Sequence, residues 1–150
     1  MLTPEICEAI LRDHYRKPRH RGTCEGGHAE TVENPACGDV VTVSLALSPP
    51  EAGAEEGAIT CARFEGAGCA ASQAGASLVL SMVQGRPARE AALLLDRFCQ
   101  VMESGSADPE LHHEEFGDAG ALLSLARFPA RVVCATLGAR LVIRMLRKQL

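Results

Sequence analysis

The order of elements along this chain predicts an α+β fold: an N-terminal helix, a three-stranded antiparallel sheet, then three or four helices packed on one face of that sheet. Three observations carry the prediction. Alternating or β-branched segments occur only between residues 29 and 64, small and aliphatic residues at helical spacing follow Cys69, and Gly and Pro punctuate the joins. With 150 residues, the whole chain (1–150) is expected to form one domain around one core.

Thr3, Pro4 and Glu5 start the first helix with a hydroxyl cap, a proline whose missing N–H costs nothing there, and a carboxylate favoured by the dipole. This helix is expected to run to about Tyr15. Residues 14–22 form a basic, proline-broken connector, readable as a solvated turn or as a docking patch for an acidic surface. Residues 29–34 and 40–47 read as strands, with Val41, Val43, Leu45 and Leu47 on one face of the second; Pro35-Ala36-Cys37-Gly38 turns between them. Residues 48–57 suit an exposed hairpin loop, and 58–64 are the third strand.

Gly66-Ala67-Gly68 then reads as a turn, so that Cys69 stands where strand gives way to helix. Thiols at such a place are reactive, because the free N–H groups of a helix start favour thiolate over thiol. The helix ends near Gly85, and Pro87 opens another over 88–103, with Leu94, Leu95, Phe98, Val101 and Met102 as its apolar face. Residues 105–118 read as a polar, exposed excursion and 119–126 as a short helical turn. After Arg127-Phe128-Pro129-Ala130, residues 132–150 are expected to form one last helix, with Val133, Leu137 and Leu141 as a buried stripe and Arg140, Arg144, Arg147 and Lys148 toward its C-terminal end.

Composition excludes several functions. With no Trp, one Tyr and four Phe, the core must be filled by Leu, Val, Ile, Met and Ala. A formal net charge of −4 argues against a phosphate-backbone binder, so no nucleic-acid partner is expected. No apolar run reaches the roughly 18 residues a membrane span needs, and the first residues lack a signal peptide's basic start and apolar stretch; a cytoplasmic protein is expected. In a reducing compartment, the seven cysteines read as metal ligands or catalytic thiols rather than a disulfide frame.

Cys37, Asp39, Cys69 and Cys134 are the candidate metal set. Each lies at an element boundary, where residues distant in sequence can converge, and Gly38 gives the backbone freedom to aim Cys37 and Asp39 at one point. Three thiolates and a carboxylate make a tetrahedral set for zinc, which accepts sulfur and oxygen and brings no redox chemistry. The Cys-x-x-Cys knuckles of a zinc ribbon are absent. Cys7 and Cys99 read as packing residues, Cys24 as an ordinary loop cysteine and Cys61 as a partly exposed strand residue. His112-His113-Glu114-Glu115 reads as a solvated loop, and Ser72 and Ser77 have no recognisable base, which excludes a hydrolase on sequence grounds.

Three cysteine motifs resemble a known family: Asn34-Pro35-Ala36-Cys37-Gly38-Asp39, Phe64-Glu65-Gly66-Ala67-Gly68-Cys69-Ala70-Ala71-Ser72, and Phe128-Pro129-Ala130-Arg131-Val132-Val133-Cys134-Ala135-Thr136-Leu137. Together with residues 11–19 they are similar, over nearly the whole chain, to the iron–sulfur assembly family that includes IscU, SufU and the N-terminal domain of NifU. IscU scaffolds carry a His just before the third cysteine and a Leu-Pro-Pro-Val-Lys segment upstream. Here Val133 and Arg127-Phe128-Pro129-Ala130-Arg131 stand there, so the SufU branch is the better match. Many SufU proteins carry a basic residue at the Val133 position, and this chain departs from them there.

The resemblance implies a zinc-dependent sulfurtransferase that takes persulfide sulfur from a SufS-type cysteine desulfurase and passes it to a SufBCD-type assembly complex. In the SufU pattern a histidine of the desulfurase replaces one ligand and frees Cys37 as sulfur acceptor. Cys69 and Cys134 then keep the metal with Asp39, and Arg131 is a candidate for steadying charge on the transferred sulfur. The alternative is an IscU-like scaffold on which a [2Fe–2S] cluster is assembled from iron on the same cysteines.

Overall fold

In the computed structural model, residues 1–105 and 107–149 are described. Ser106, in the expected excursion, and Leu150, the expected last residue of the final helix, lie outside them. Helix α1 (Pro4–Arg16) begins as expected: the Thr3 hydroxyl accepts from the Ile6 N–H at 3.2 Å, with Pro4 in the first turn. Strands β1 (His28–Asn34), β2 (Asp39–Leu47) and β3 (Ile59–Ala67) form an antiparallel sheet in the order β1-β2-β3. The inner face of β2 (Val41, Val43, Leu45) is buried with Ala62 and Phe64 of β3, while Leu47 is half-buried.

The helices cover that inner face. Helix α2 (Ala70–Val83) is built from small and aliphatic residues and is buried on nearly every side, so α1, α5 and α6 can all pack closely on it. Helices α3 (Ala88–Glu103), α4 (His113–Phe116), α5 (Pro129–Ala135) and α6 (Leu137–Gln149) complete the layer, with 3-10 turns over Pro109–His112 and Gly117–Leu125. The cations of α6 are spent on packing: Arg140 pairs with Glu103 and Arg147 with Asp96 on α3, and Lys148 reaches Glu30 on β1 at 3.0 Å. Among the described residues no helix is long and apolar enough to cross a membrane.

Four local expectations change. Strand β3 continues to Ala67, because Gly66 and Ala67 pair with Val41 and Val40, leaving Gly68 alone as the turn. The expected last helix is two helices, broken at Thr136, whose hydroxyl donates back to the Val132 carbonyl at 2.7 Å. The break changes the phase of the apolar stripe, so Leu137 and Leu141 are buried while Val133 is 49% exposed. Residues 105–118 are not merely an exposed excursion: Phe116 is buried edge-on against Phe98, with ring centroids 5.4 Å apart. Finally, Cys24 and Cys61 are joined by a disulfide, against the expectation of no disulfide and of an inconsequential Cys24.

The connector explains that pairing. It lies beside the free edge of β3, where the Phe64 N–H donates to the His20 carbonyl at 2.7 Å and the Gly22 N–H donates to the Phe64 carbonyl at 2.9 Å. It then crosses the sheet's outer face, bringing Cys24 over Ser44 and Cys61.

Candidate metal centre

The strand turn at residues 34–39 is fixed by Asn34, whose carbonyl accepts from both the Cys37 and Gly38 N–H groups at 3.1 and 2.8 Å. Gly38 takes φ +70°, a left-handed angle that L side chains adopt rarely. Cys37 is thereby left exposed on the turn while Asp39, the first residue of β2, is fully buried. Gly68 (φ +149°) bends β3 into α2 and places Cys69 as the N-cap residue of that helix. Cys134 enters from α5, whose first turn holds Pro129.

These elements meet. The ligand atoms of Cys37, Asp39 and Cys134 all lie within 4.8 Å of one another, and the Cys37 and Cys134 sulfurs are 3.5 Å apart. Cys69 joins on the Asp39 side: its N–H donates to Asp39 Oδ1 at 2.7 Å, and its Sγ is 3.7 Å from Oδ2. Zn–S bonds of about 2.3 Å and Zn–O bonds of about 2.0 Å imply tetrahedron edges of roughly 3.5–3.8 Å for a set with one oxygen. Cys37, Asp39 and Cys134 therefore stand close enough together to share one ion, with Cys69 beside Asp39 as the fourth candidate donor.

Electrostatics points the same way. Burial alone would raise the Asp39 pKa, but the Cys69 N–H and the hydrogen bonds offered by Cys134, Cys69 and Ser72 outweigh it and hold the carboxyl below its ordinary value. Burial first, then the neighbouring Asp39, Cys37 and Cys69, push the Cys134 thiol far above the ordinary thiol range. A second or third negative charge is disfavoured here unless a cation compensates it, and a divalent ion supplies that compensation.

Sequence reasoning missed two supporting residues. Asn34 is buried and donates its Nδ2–H to Cys134 Sγ at 3.5 Å; the Ser72 hydroxyl donates to the Cys69 carbonyl at 3.0 Å and also faces Asp39. Both flank the cysteines in the motifs, which was the available signal. Arg131 is exposed, with its guanidinium 6.0 Å from the Phe128 ring, and lines a cleft of about 280 Å³ with Tyr15, Ala70 and Ala71.

Ser77 does have a nitrogen base within reach, against expectation: His14 Nδ1 is 2.7 Å from its hydroxyl. Both side chains are buried, and the Ser77 oxygen also accepts the Arg19 N–H at 2.8 Å, so the pair ties α1 and the connector to α2 instead of presenting a nucleophile. Glu115 likewise is engaged, with His112 at 3.0 Å and Arg97 at 3.1 Å, within and beside a short helix rather than a loop. Cys7 and Cys99 are buried and free, as expected of packing residues.

Comparison with known proteins agrees with this architecture. The family described as NifU-like N terminal domain matches residues 7–135. Among curated relatives, the iron-sulfur cluster assembly scaffold protein IscU of Streptococcus pyogenes serotype M1 is 33% identical over 129 residues, covering 86% of this chain and 75% of that protein. The zinc-dependent sulfurtransferase SufU of Bacillus subtilis (strain 168) is 30% identical over 128 residues, covering 85% and 80%. A crystal structure of a hypothetical protein superposes with a TM-score of 0.82 at 29% identity, over 97% of this chain and 99% of that one.

Proposed function

Because this chain belongs to the NifU-like N terminal domain family, which it shares with IscU and SufU, we propose that it is a zinc-dependent sulfurtransferase of iron–sulfur cluster assembly. It accepts persulfide sulfur from a SufS-type cysteine desulfurase and delivers it to a SufBCD-type complex. The observation that supports this reading is the cluster of the Cys37, Asp39 and Cys134 ligand atoms within 4.8 Å of one another, with Cys69 Sγ 3.7 Å from Asp39, Cys37 exposed and Cys134 buried. Cys37, Asp39, Cys69 and Cys134 would hold the metal. Bound zinc keeps such thiols deprotonated without redox chemistry of its own.

The chain's own residues divide the work by access. Cys37, on an exposed turn, is the acceptor: its thiolate attacks the terminal sulfur of the partner's persulfide. A new S–S bond forms on Cys37 as the partner's S–S bond breaks, and the electron pair leaves on the partner's cysteine sulfur, so the transfer involves no net oxidation. Asp39, anchored by the Cys69 N–H, keeps the loop carrying Cys37 in register with α2. Tyr15, Phe128 and Val133 are exposed apolar side chains, and with Arg131 they give a partner a surface on which to dock.

The test is sulfide release by a SufS-type desulfurase. Wild-type protein should stimulate it and Cys37→Ser should not; full stimulation by Cys37→Ser overturns the assignment. The likeness to the streptococcal IscU supports a second reading, a scaffold for a [2Fe–2S] cluster. A stable coloured cluster after anaerobic reconstitution, with no effect on the desulfurase, would favour it.

A further inference from the structure

We infer that Cys24 and Cys61 are a reversible thiol–disulfide modification site whose substrate class is the low-molecular-weight disulfide. The two are bonded in the structure, 37 residues apart in sequence, Cys24 buried and Cys61 half-buried on the sheet's outer face. The pair stands apart from the candidate metal centre. Cys61 lies opposite Ala46, seven residues along β2 from Asp39, which at 3.3–3.4 Å per residue is about 23 Å. Neither thiol can join the donor set, and the centre's cysteines cannot resolve a disulfide formed here.

Both oxidation states are accommodated. Cys24 Sγ lies 3.4 Å from the Ser44 carbonyl oxygen, so the reduced thiol has an acceptor waiting. Cys61, the more accessible of the two, attacks the small disulfide first and expels one small thiol; Cys24 then attacks Cys61 in that mixed disulfide and expels the second. Two electrons and two protons leave the protein pair and appear as two small thiols, and excess thiol reverses the exchange. In a reducing compartment disulfides are mostly transient and redox-responsive, which is the behaviour assigned to this pair.

What the bond controls is the connector. Residues 19–22 are held to β3 and α2 by noncovalent contacts: the Arg19 N–H on the Ser77 hydroxyl, main-chain hydrogen bonds of His20 and Gly22 with Phe64, the Arg63 guanidinium on the Arg21 carbonyl at 3.4 Å, and Arg21 over the Phe64 ring; residues 25–27 beyond Cys24 form an exposed turn. The disulfide adds a covalent pin between that segment and the sheet. Oxidation therefore adds a covalent restraint to the stretch carrying Lys17, Arg19, His20 and Arg21, and reduction leaves it held by the noncovalent contacts alone, so that it opens more often. This inference does not depend on the sulfur-transfer reading.

The full chain, as isolated, is incubated with either oxidised or reduced glutathione, alkylated and mapped by non-reducing peptide mass spectrometry; hydrogen exchange and thermal melting are followed in parallel. Oxidised glutathione should yield a Cys24–Cys61 linked peptide, slow exchange of the amides of residues 18–24 about tenfold, and raise Tm by about 10 °C for a loop of this length. Reduced glutathione should reverse all three, and neither Cys24→Ser nor Cys61→Ser should show any of them. The inference is overturned if both cysteines remain alkylatable after oxidation. It fails equally if the bond survives reduced glutathione in the folded protein, or if the two forms share one Tm and one exchange pattern.

Discussion

Placing a methyl group at residue 68 should damage the candidate metal centre without altering any of its four candidate donor side chains. A Cβ there would stand 2.1 Å from Asp39 Oδ1, 2.9 Å from its Cγ and 3.0 Å from its Cα. The Cα is backbone, and Oδ1 is held at 2.7 Å by the Cys69 N–H, so neither gives way cheaply. Gly68→Ala therefore forces the carboxylate off that N–H, losing a charge-assisted hydrogen bond worth about 1.5–3 kcal/mol. It also imposes φ +149° on an L residue, a sparsely populated angle costing about 1–3 kcal/mol. The expected destabilisation is about 3–5 kcal/mol, read from urea unfolding in the presence of chelator, with zinc affinity falling in a competition titration. Gly38→Ala is the control: it too sits at positive φ, but its Cβ would meet nothing within 4 Å, so only about 1–2 kcal/mol should be lost. If the two variants unfold alike within about 0.5 kcal/mol and bind zinc alike, Asp39 is not locked by its approach to Gly68.

Two further outcomes can be checked on the wild-type chain. Chelating the metal should lower apparent stability by about 3 kcal/mol or more when the free ion had exceeded its Kd a hundredfold, and should open Cys37 and Cys69 to a thiol reagent while buried Cys7 and Cys99 stay slow; unchanged melting and labelling would mean the thiols hold no ion. Mild acid should destabilise the fold through His14, whose pKa is lowered by burial and then by the nearby Arg19. The unfolded chain takes up a proton near pH 6.5 that the folded chain refuses, so stability is full above that pH and falls below it by at most about 1.4 kcal/mol per pH unit for this residue. A flat profile between pH 7 and 5.5, or an identical slope in His14→Gln, would contradict the buried His14–Ser77 contact.

Much of this molecule was legible in its sequence because its main signals are local. Alternation of Val41, Val43 and Leu45 reports one buried face, and Thr3-Pro4-Glu5 reports a helix start; both are decided by neighbours a few residues away. The cluster of Cys37, Asp39 and Cys134 was legible for a different reason: its residues lie at element ends, inside motifs that resemble a family. What stayed hidden depends on contacts between residues far apart. His14 and Ser77 are 63 residues apart, and Cys24 and Cys61 are 37 apart with no spacing rule to join them. Counting seven cysteines in a chain read as cytoplasmic argued against disulfides as a frame, yet it could not address a single pair brought together by a connector crossing the sheet.

The break at Thr136 shows how one such hidden feature governs the centre. In an unbroken helix, residues 133, 137 and 141 would share a face, and since Leu137 and Leu141 are buried, Val133 would be driven inward with them. Instead Thr136 back-bonds to Val132 and ends α5, so that α5 takes its own orientation: Val133 turns to solvent and Cys134 turns in toward Cys37, Asp39 and Asn34. The position at which IscU scaffolds carry a histidine is here an exposed valine, which can supply no ligand atom. What these residues offer an ion is sulfur and one carboxylate.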